Sequence, residues 1–320
     1  METLNKSRNH EMIWGHLIHL GYNMWRENDS QYFEYGDFAS AYSASSLLRL
    51  DKDIWDEMIE MMPQSGINTL LIDLGEGIKY ESHPELAVKG SWTVDKFKKE
   101  LDKIRSLGIT PIPKLNFSTG HDEWMGEYSR CVSTPKYYEV CKDLINEVCD
   151  LFDNPKLFHL GMDEETYKHQ AFYNFAIVRN GDLWWNDLYF YIDLLEKRGV
   201  RPWVWSDYIW HNEDLFLRKM PKSVLQSNWY YDNHFDNEED SYVKGYLTLE
   251  KNGYDQIPTG SNWLKSDNFD TTVKFSKGKI APERLLGFLQ TTWKPTTRDF
   301  KYRQLEAIDL VAQAKRKYFL

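Results

Sequence analysis

The sequence predicts an α/β fold, a (β/α)8 TIM barrel spanning residues 1–320 as a single domain. Three observations carry that prediction. Eight short apolar strand patterns alternate with helical ones, the turns from helix to strand are short and often marked by glycine, and acids and tryptophans collect at the carboxyl ends of the strands. A doubly wound sheet would alternate in the same way. No Gly-x-Gly-x-x-Gly follows any strand, however, so its dinucleotide-binding version has nothing to bind with.

The first strand is expected over Met12 to Asn23, followed by a long loop at about 24–50 rich in Tyr, Ser, Asp and Asn. Asp51-Lys52-Asp53 opens a helix whose apolar side is Ile54, Met58, Ile59 and Met62, closed by Gly66. Strand two runs from Asn68 to Gly75, with Asp73 on its polar face and Glu76 at its end. A helix over Val94 to Leu107 stops at Gly108, and strand three, Thr110 to Phe117, places Lys114 and Asn116 on one face. The polar loop Ser118-Thr119-Gly120-His121-Asp122-Glu123 follows. After a helix over Pro135 to Leu151 comes strand four, from Leu157, and after a helix over Asp182 to Arg198 comes strand five, Arg201 to Asp207. Strand six, Val224 to Tyr231, ends in three rings, Trp229, Tyr230 and Tyr231. A helix near Tyr242 to Lys251 precedes strand seven, Asp255 to Trp263. Strand eight, Leu285 to Trp293, and a helix over Phe300 to Arg316 finish the chain.

The stretch Leu157-Phe-His-Leu-Gly-Met-Asp-Glu-Glu165 is an apolar strand that ends in three carboxylates. Alternation puts His159, Gly161 and Asp163 on one face and Phe158, Leu160 and Met162 on the other. With the oily face on helices, Asp163 points into the middle of the sheet. Gly161 beneath it leaves room for a ligand, and Glu164 falls just past the strand end. An acid pair after a strand commonly caps the next helix or faces water. In a barrel all strand ends open on one face, where Glu76, His121, Asp122, Asp163, Glu164, Trp205, Asp207, Trp229, Trp263 and Trp293 converge. Trp203 reads as barrel filling, Asp207 as a possible helix cap and Glu123 as a solvated loop acid.

Thirty-nine Lys and Arg against 49 Asp and Glu give a formal charge of −10 with no basic block, which argues against nucleic acid and anionic membranes as partners. No apolar run is long enough to span a bilayer, and the polar start Met1-Glu2-Thr3-Leu4-Asn5-Lys6 does not read as a signal peptide. The expected location is cytoplasmic, or secreted if a leader has been trimmed. Cys131, Cys141 and Cys149 have no metal-ligand spacing, and His159 and His169 form no His-Glu-x-x-His pattern. No metal and no cofactor is therefore expected. The 13 Trp, 20 Tyr and 16 Phe are the unusual feature. Flat rings with a polar edge suit sugars, whose C–H patches are framed by hydroxyls, so a carbohydrate is the expected partner.

Phe158-His159-Leu160-Gly161-Met162-Asp163-Glu164 resembles the His-x-Gly-x-Asp-Glu signature of the β-N-acetylhexosaminidases of glycoside hydrolase family 20. Further segments resemble the same family in the same order. These are Ile67 to Asp73 with Pro84-Glu85-Leu86 and Gly90-Ser91, Gly108 to Pro113 with Gly120-His121, Trp205-Ser206-Asp207, Gln226-Ser227-Asn228-Trp229, and Leu286-Gly287 through Trp293. Two departures stand out: Trp14-Gly15-His16 lies where the family carries an arginine that grips sugar hydroxyls, and Met162 stands where a glycine is usual. The family's accessory domain ahead of the barrel also reads as missing.

The resemblance implies a retaining exo-β-N-acetylhexosaminidase. Glu164 would be the general acid, its pKa raised by Asp163 and indole walls, and Asp163 would hold the substrate's acetamido N–H while the acetamido oxygen attacks the anomeric carbon. Tyr230 or Tyr231 would steady that oxygen. Trp205, Trp229 and Trp293 would wall the sugar, with His121, Asp207, Trp263 and Glu76 as further contacts. Two other readings stay open: a two-carboxylate glycosidase that pairs these acids with Asp207 or Glu76, and a carbohydrate-binding barrel without catalysis.

Overall fold

A computed structural model describes residues 11–24, 43–171 and 173–320. Eight parallel strands, each followed by a helix, form one ring. The strands are β1 Ile13–His19, β2 Thr69–Asp73, β3 Thr110–Lys114, β4 Leu157–His159, β5 Arg201–Trp205, β6 Leu225–Ser227, β7 Thr259–Ser261 and β8 Gly287–Thr291. The helices are α1 Lys52–Met61, α2 Val94–Ser106, α3 Pro135–Leu151, α4 Asp182–Glu196, α5 Tyr208–Lys219, α6 Ser241–Lys251, α7 Asn268–Lys279 and α8 Lys301–Phe319. The ladder runs β6-β5-β4-β3-β2-β1-β8-β7. Bridges between Gln226 and Gln256 and between Trp229 and Thr259 join its two ends, so the sheet closes on itself as a TIM barrel.

Alternation along each strand sorts side chains into two cores. Leu17, Leu71, Ile112, Leu157, Trp203, Leu225, Ile257 and Leu289 fill the barrel interior. Trp203 is barrel filling as expected, its indole N–H donating to Ser227 Oγ at 2.7 Å. The outward residues Ile18, Leu70, Ile72, Phe158, Leu160, Val204 and Phe288 pack against the helices. The caps match the sequence signals: Thr93 and Thr134 each accept a backbone N–H at the start of α2 and α3, and Pro135 opens α3.

Register sets the floor of the site. His19, Asp73, Lys114, His159 and Trp203 are successive partners across five neighbouring strands and form one rung of the barrel. Lys114 Nζ lies 2.6 Å from Asp73 Oδ2, and His19 Nδ1 lies 3.3 Å from the same oxygen. All three are buried. Burial raises the Asp73 carboxyl, but the Lys114 charge and the His19 contact outweigh it and hold the pKa below the ordinary value.

The strands are shorter than the sequence suggests because the chain leaves the ladder early at the carboxyl face. Helices α5 and α7 follow the fifth and seventh strands, where the sequence reading assigns none. Of the long first loop, residues 25–42 lie outside the described residues. Among the described residues, no helix is long and apolar enough to cross a membrane.

Candidate active site

Beyond His159 the chain gives up strand geometry: Gly161, Met162 and Glu164 all have positive φ, at 71°, 72° and 51°. Phe158, Leu160 and Met162 are buried in the outer core as alternation requires, but the acids are placed by a turn and not by a strand face. The role expected of Gly161 is corrected as well. A Cβ there would lie 1.9 Å from Asn116 Oδ1, so the space belongs to Asn116 and not to a ligand. Asn116 Oδ1 accepts the amides of Ser118 and Met162, and its Nδ2 donates to Asp163 Oδ1 at 2.9 Å. One amide side chain thus ties the β3 and β4 loops together. Gly161→Ala is expected to destabilise the protein by about 1–3 kcal/mol and to displace Asp163, through the clash and the strained φ together. A urea melt and a substrate titration check both effects.

His121 and the two acids converge. His121 Nε2 lies 3.4 Å from Asp163 Oδ2 and 3.3 Å from Glu164 Oε2. The other oxygen of Glu164, Oε1, is 3.1 Å from His169 Nε2. Thr166 Oγ1, at 2.8 Å from His169 Nδ1, fixes the orientation of that second imidazole. Asp207 Oδ2 accepts the Glu164 amide at 2.8 Å, so Asp207 orients the acid through its backbone and is not simply a helix cap.

These contacts separate the carboxyls electrostatically. Burial pushes Glu164 upward, but hydrogen bonds from His121 and His169 and their charges outweigh it and hold the pKa well below the ordinary range. The expectation that Asp163 and indole walls raise it is therefore corrected. Asp207 goes the other way: burial first, then the Asp163 charge, push its carboxyl well above the usual value. For His121, burial favours the neutral ring, yet the Asp163 and Glu164 carboxylates raise its pKa above normal.

The aromatic residues expected at the strand ends form a chain of rings. Trp205 lies with its ring centroid 4.3 Å from His159 and 5.8 Å from Trp293. The Trp293 indole N–H donates to Tyr231 Oη at 2.8 Å, Tyr231 stacks on Trp229 at 4.9 Å, and Trp263 meets Tyr231 edge-on at 6.4 Å. The Asp163 and Glu164 charges both reach the Tyr231 phenol, whose pKa burial already raises. Of the two adjacent tyrosines, Tyr231 is the one whose phenol feels the charges of both acids. Tyr230 belongs elsewhere, edge-on to Phe235 at 5.2 Å and stacked with Tyr242 at 5.7 Å. Glu76 has backbone partners of its own. Its buried carboxylate accepts the amides of Tyr22 and Asn23 at 2.7 and 3.1 Å and pins the chain where β1 ends.

Sequence reasoning missed the residues that hold this face together. Arg179, buried, donates to Glu165 through Nε at 2.8 Å and Nη2 at 2.6 Å, to Asp187 Oδ2 at 2.9 Å and to the Phe117 carbonyl at 2.7 Å. Glu165 also accepts the Thr119 amide, so the pair clamps the β3 and β4 loops onto α4. The available signal was Asp187, an acid on the face of α4 that carries Trp184, Leu188 and Tyr191.

Asp122 is buried beside this cluster, its Oδ2 without a hydrogen-bond partner among the described residues. Burial pushes its pKa from 3.8 to about 8 against the opposing Arg179 charge. The folded chain then binds a proton that the unfolded chain releases, so stability falls as pH rises between those two values. Asp122→Asn is expected to remove that slope and to be the more stable form near the alkaline end. Paired urea melts at about pH 5 and about pH 8 read the difference.

No protein-family model and no curated protein matches the sequence. Solved structures do. A β-N-acetylhexosaminidase from Bacteroides fragilis aligns over 95% of this chain and 65% of its own, at 16% identity and a TM-score of 0.64. The N-acetyl-β-hexosaminidase of Streptomyces plicatus aligns over 94% of this chain and 64% of its own, at 12% identity and a TM-score of 0.58. The fold is a (β/α)8 barrel similar to the barrels of these two proteins. A broad-specificity endoglucanase from Clostridium longisporum aligns over 95% of this chain at 12% identity with a TM-score of 0.52, as expected for a superfold that many glycosidases share. The chain spans just under two thirds of the length of the first two structures. Its candidate ligands for a metal are His121 Nε2 and one oxygen each of Asp163 and Glu164, all within 4.8 Å of one another.

Proposed function

We propose that the chain, acting as one barrel domain, is a retaining exo-β-N-acetylhexosaminidase that cleaves terminal 2-acetamido sugars by substrate assistance. The observation that carries this reading is the adjacent pair Asp163 and Glu164 held in distinct environments. Asp163 is tied by Asn116, Glu164 lies between two imidazoles, and Tyr231, whose phenol feels the charges of both acids, is bonded to the Trp293 indole. Glu164 protonates the glycosidic oxygen as the substrate's acetamido oxygen attacks the anomeric carbon. Asp163 accepts the acetamido N–H and balances the charge of the oxazolinium ion. The Glu164 carboxylate then takes a proton from the water that opens that ion, and configuration is retained. Tyr231 rather than Tyr230 donates to the acetamido oxygen, a choice supported by the charges of both acids felt at its phenol. Trp205, Trp229, Trp263 and Trp293 wall the sugar.

The depressed Glu164 and the raised His121 describe one proton shared by a coupled pair. At rest the proton sits on His121. Transfer across the 3.3 Å contact leaves a neutral imidazole and a protonated Glu164, the form that catalysis needs.

A second reading rests on Asp207. Unlike that of Glu164, its carboxyl is pushed upward, and Oδ1 is buried without a hydrogen-bond partner among the described residues. Asp207 would then be the acid of a two-carboxylate glycosidase, with Asp163 or Glu164 as its ionised counterpart. Nitrophenyl β-N-acetylglucosaminide, its galactosaminide counterpart and the matching plain β-glycosides separate the two. Release of nitrophenol from the acetamido pair alone supports substrate assistance. Release from the plain glycosides supports Asp207, and silence on all four leaves an untested linkage or a binding barrel.

A further inference from the structure

We infer that His121, Asp163 and Glu164 also form a binding site for a borderline divalent transition metal such as zinc, and that metal and sugar exclude one another there. Two of the three ligand-atom pairs already stand at the spacing a metal requires, and all three atoms lie within 4.8 Å of one another. His121 Nε2 is 3.4 Å from Asp163 Oδ2 and 3.3 Å from Glu164 Oε2. The edge of a tetrahedron with zinc bonds of 2.0–2.1 Å is about 3.3–3.4 Å.

The oxygens not aimed at His121 are held by other donors. Asn116 Nδ2 takes Asp163 Oδ1 at 2.9 Å, and His169 Nε2 lies 3.1 Å from Glu164 Oε1. Each carboxylate is thereby turned to offer one oxygen, the arrangement in which outer partners orient metal ligands. The Glu164 backbone is fixed as well, its amide donating to Asp207.

The donor set decides the class of ion. One imidazole and two single carboxylate oxygens suit zinc, cobalt or manganese, whereas calcium takes six to eight oxygens and magnesium an octahedral oxygen shell. No thiol is within the group, so soft copper(I) is disfavoured. A metal at this point occupies Glu164 Oε2, the oxygen that shares its proton with His121, and stands where a glycosidic oxygen has to approach. The binding half of the inference rests on geometry alone, while the exclusion half rests on the hydrolase reading above.

The test is isothermal titration of the intact protein with zinc chloride, alongside cobalt(II) chloride followed by its visible absorption. The expected result is saturable one-to-one binding and cobalt bands of a low-coordinate site. Asp163→Asn and His121→Gln should each weaken binding at least about tenfold, and Asn116→Ala, outside the ligand set, by about 10- to 100-fold. No saturable binding overturns the inference, as does binding unchanged in His121→Gln with an unaltered melting temperature. With any glycoside that the protein turns over, zinc should raise the apparent KM and leave kcat unchanged. Zinc that binds without affecting KM overturns the exclusion. Absence of turnover on every glycoside bears on the hydrolase reading and leaves the calorimetry to decide the site.

Discussion

Glu164→Gln is expected to lower turnover of a nitrophenyl acetamido glycoside by about 10²–10⁴-fold with little change in KM, the loss typical when a positioned general acid is removed. The amide keeps the size of the side chain and can still meet His121 and His169 but has no proton to give, so an unchanged circular dichroism spectrum should accompany the loss. The deficit should shrink on a dinitrophenyl aglycone, which leaves without protonation. A variant retaining full activity on the mononitrophenyl substrate would transfer the acid role to Asp207. The matching Asp207→Asn variant, measured beside it, shows which carboxyl the rate follows.

The pH profile gives the same assignment a second handle. Because the His121 pKa is raised in the folded chain, its ion pairs with the acids are complete below the unfolded value of 6.5 and fade as pH rises through the folded value. Activity that depends on the shared proton should therefore fall on an alkaline limb lying above 6.5. In His169→Gln the second imidazole contact to Glu164 is gone, the pair holds its shared proton more tightly, and the limb should move toward higher pH. The proton then resides more on Glu164 itself.

The barrel was legible in the sequence because its signals are local. Period-two apolar runs such as Leu70 to Asp73 and Phe158 to Leu160 need only two faces of a sheet, and Thr134-Pro135 needs only the first turn of α3. The strand tips were harder. Alternation extrapolated past Leu160 mistook a turn with positive φ at Gly161, Met162 and Glu164 for further strand, and so credited Gly161 with room that Asn116 fills. Tyr230 and Tyr231 could not be told apart for a similar reason, since both follow the last ladder residue Ser227 and only the loop decides which ring meets Trp293. Glu76 looked like a site acid from its position after β2. Its partners, the amides of Tyr22 and Asn23, lie more than fifty residues away and leave no mark in the local pattern.

The same long-range character hides Arg179, and it sets the second large effect. Arg179→Met should destabilise the protein by about 3–5 kcal/mol, the usual consequence of removing one partner from a buried ion pair. Glu165 and Asp187, with side chains 4% and 0% exposed, would both be left as uncompensated charges. Ser133 and Tyr138 also converge on Asp187, so the damage should reach α3. Lysine is expected to rescue only in part, since a single ammonium cannot reproduce the forked contacts to Glu165, Asp187 and the Phe117 carbonyl together. Combining Arg179→Met with Glu165→Gln and Asp187→Asn should recover much of the stability, because the burden lies in the orphaned charges and not in the lost contacts. Glu165 follows Glu164 directly, so the triple variant should still be slow, its kcat reduced more than its KM is raised. Urea denaturation of the single, double and triple variants measures the first claim and steady-state kinetics the second. If Arg179→Met melts with the wild type, the clamp carries no stability and the loops are held by Asn116 and Asp207 alone.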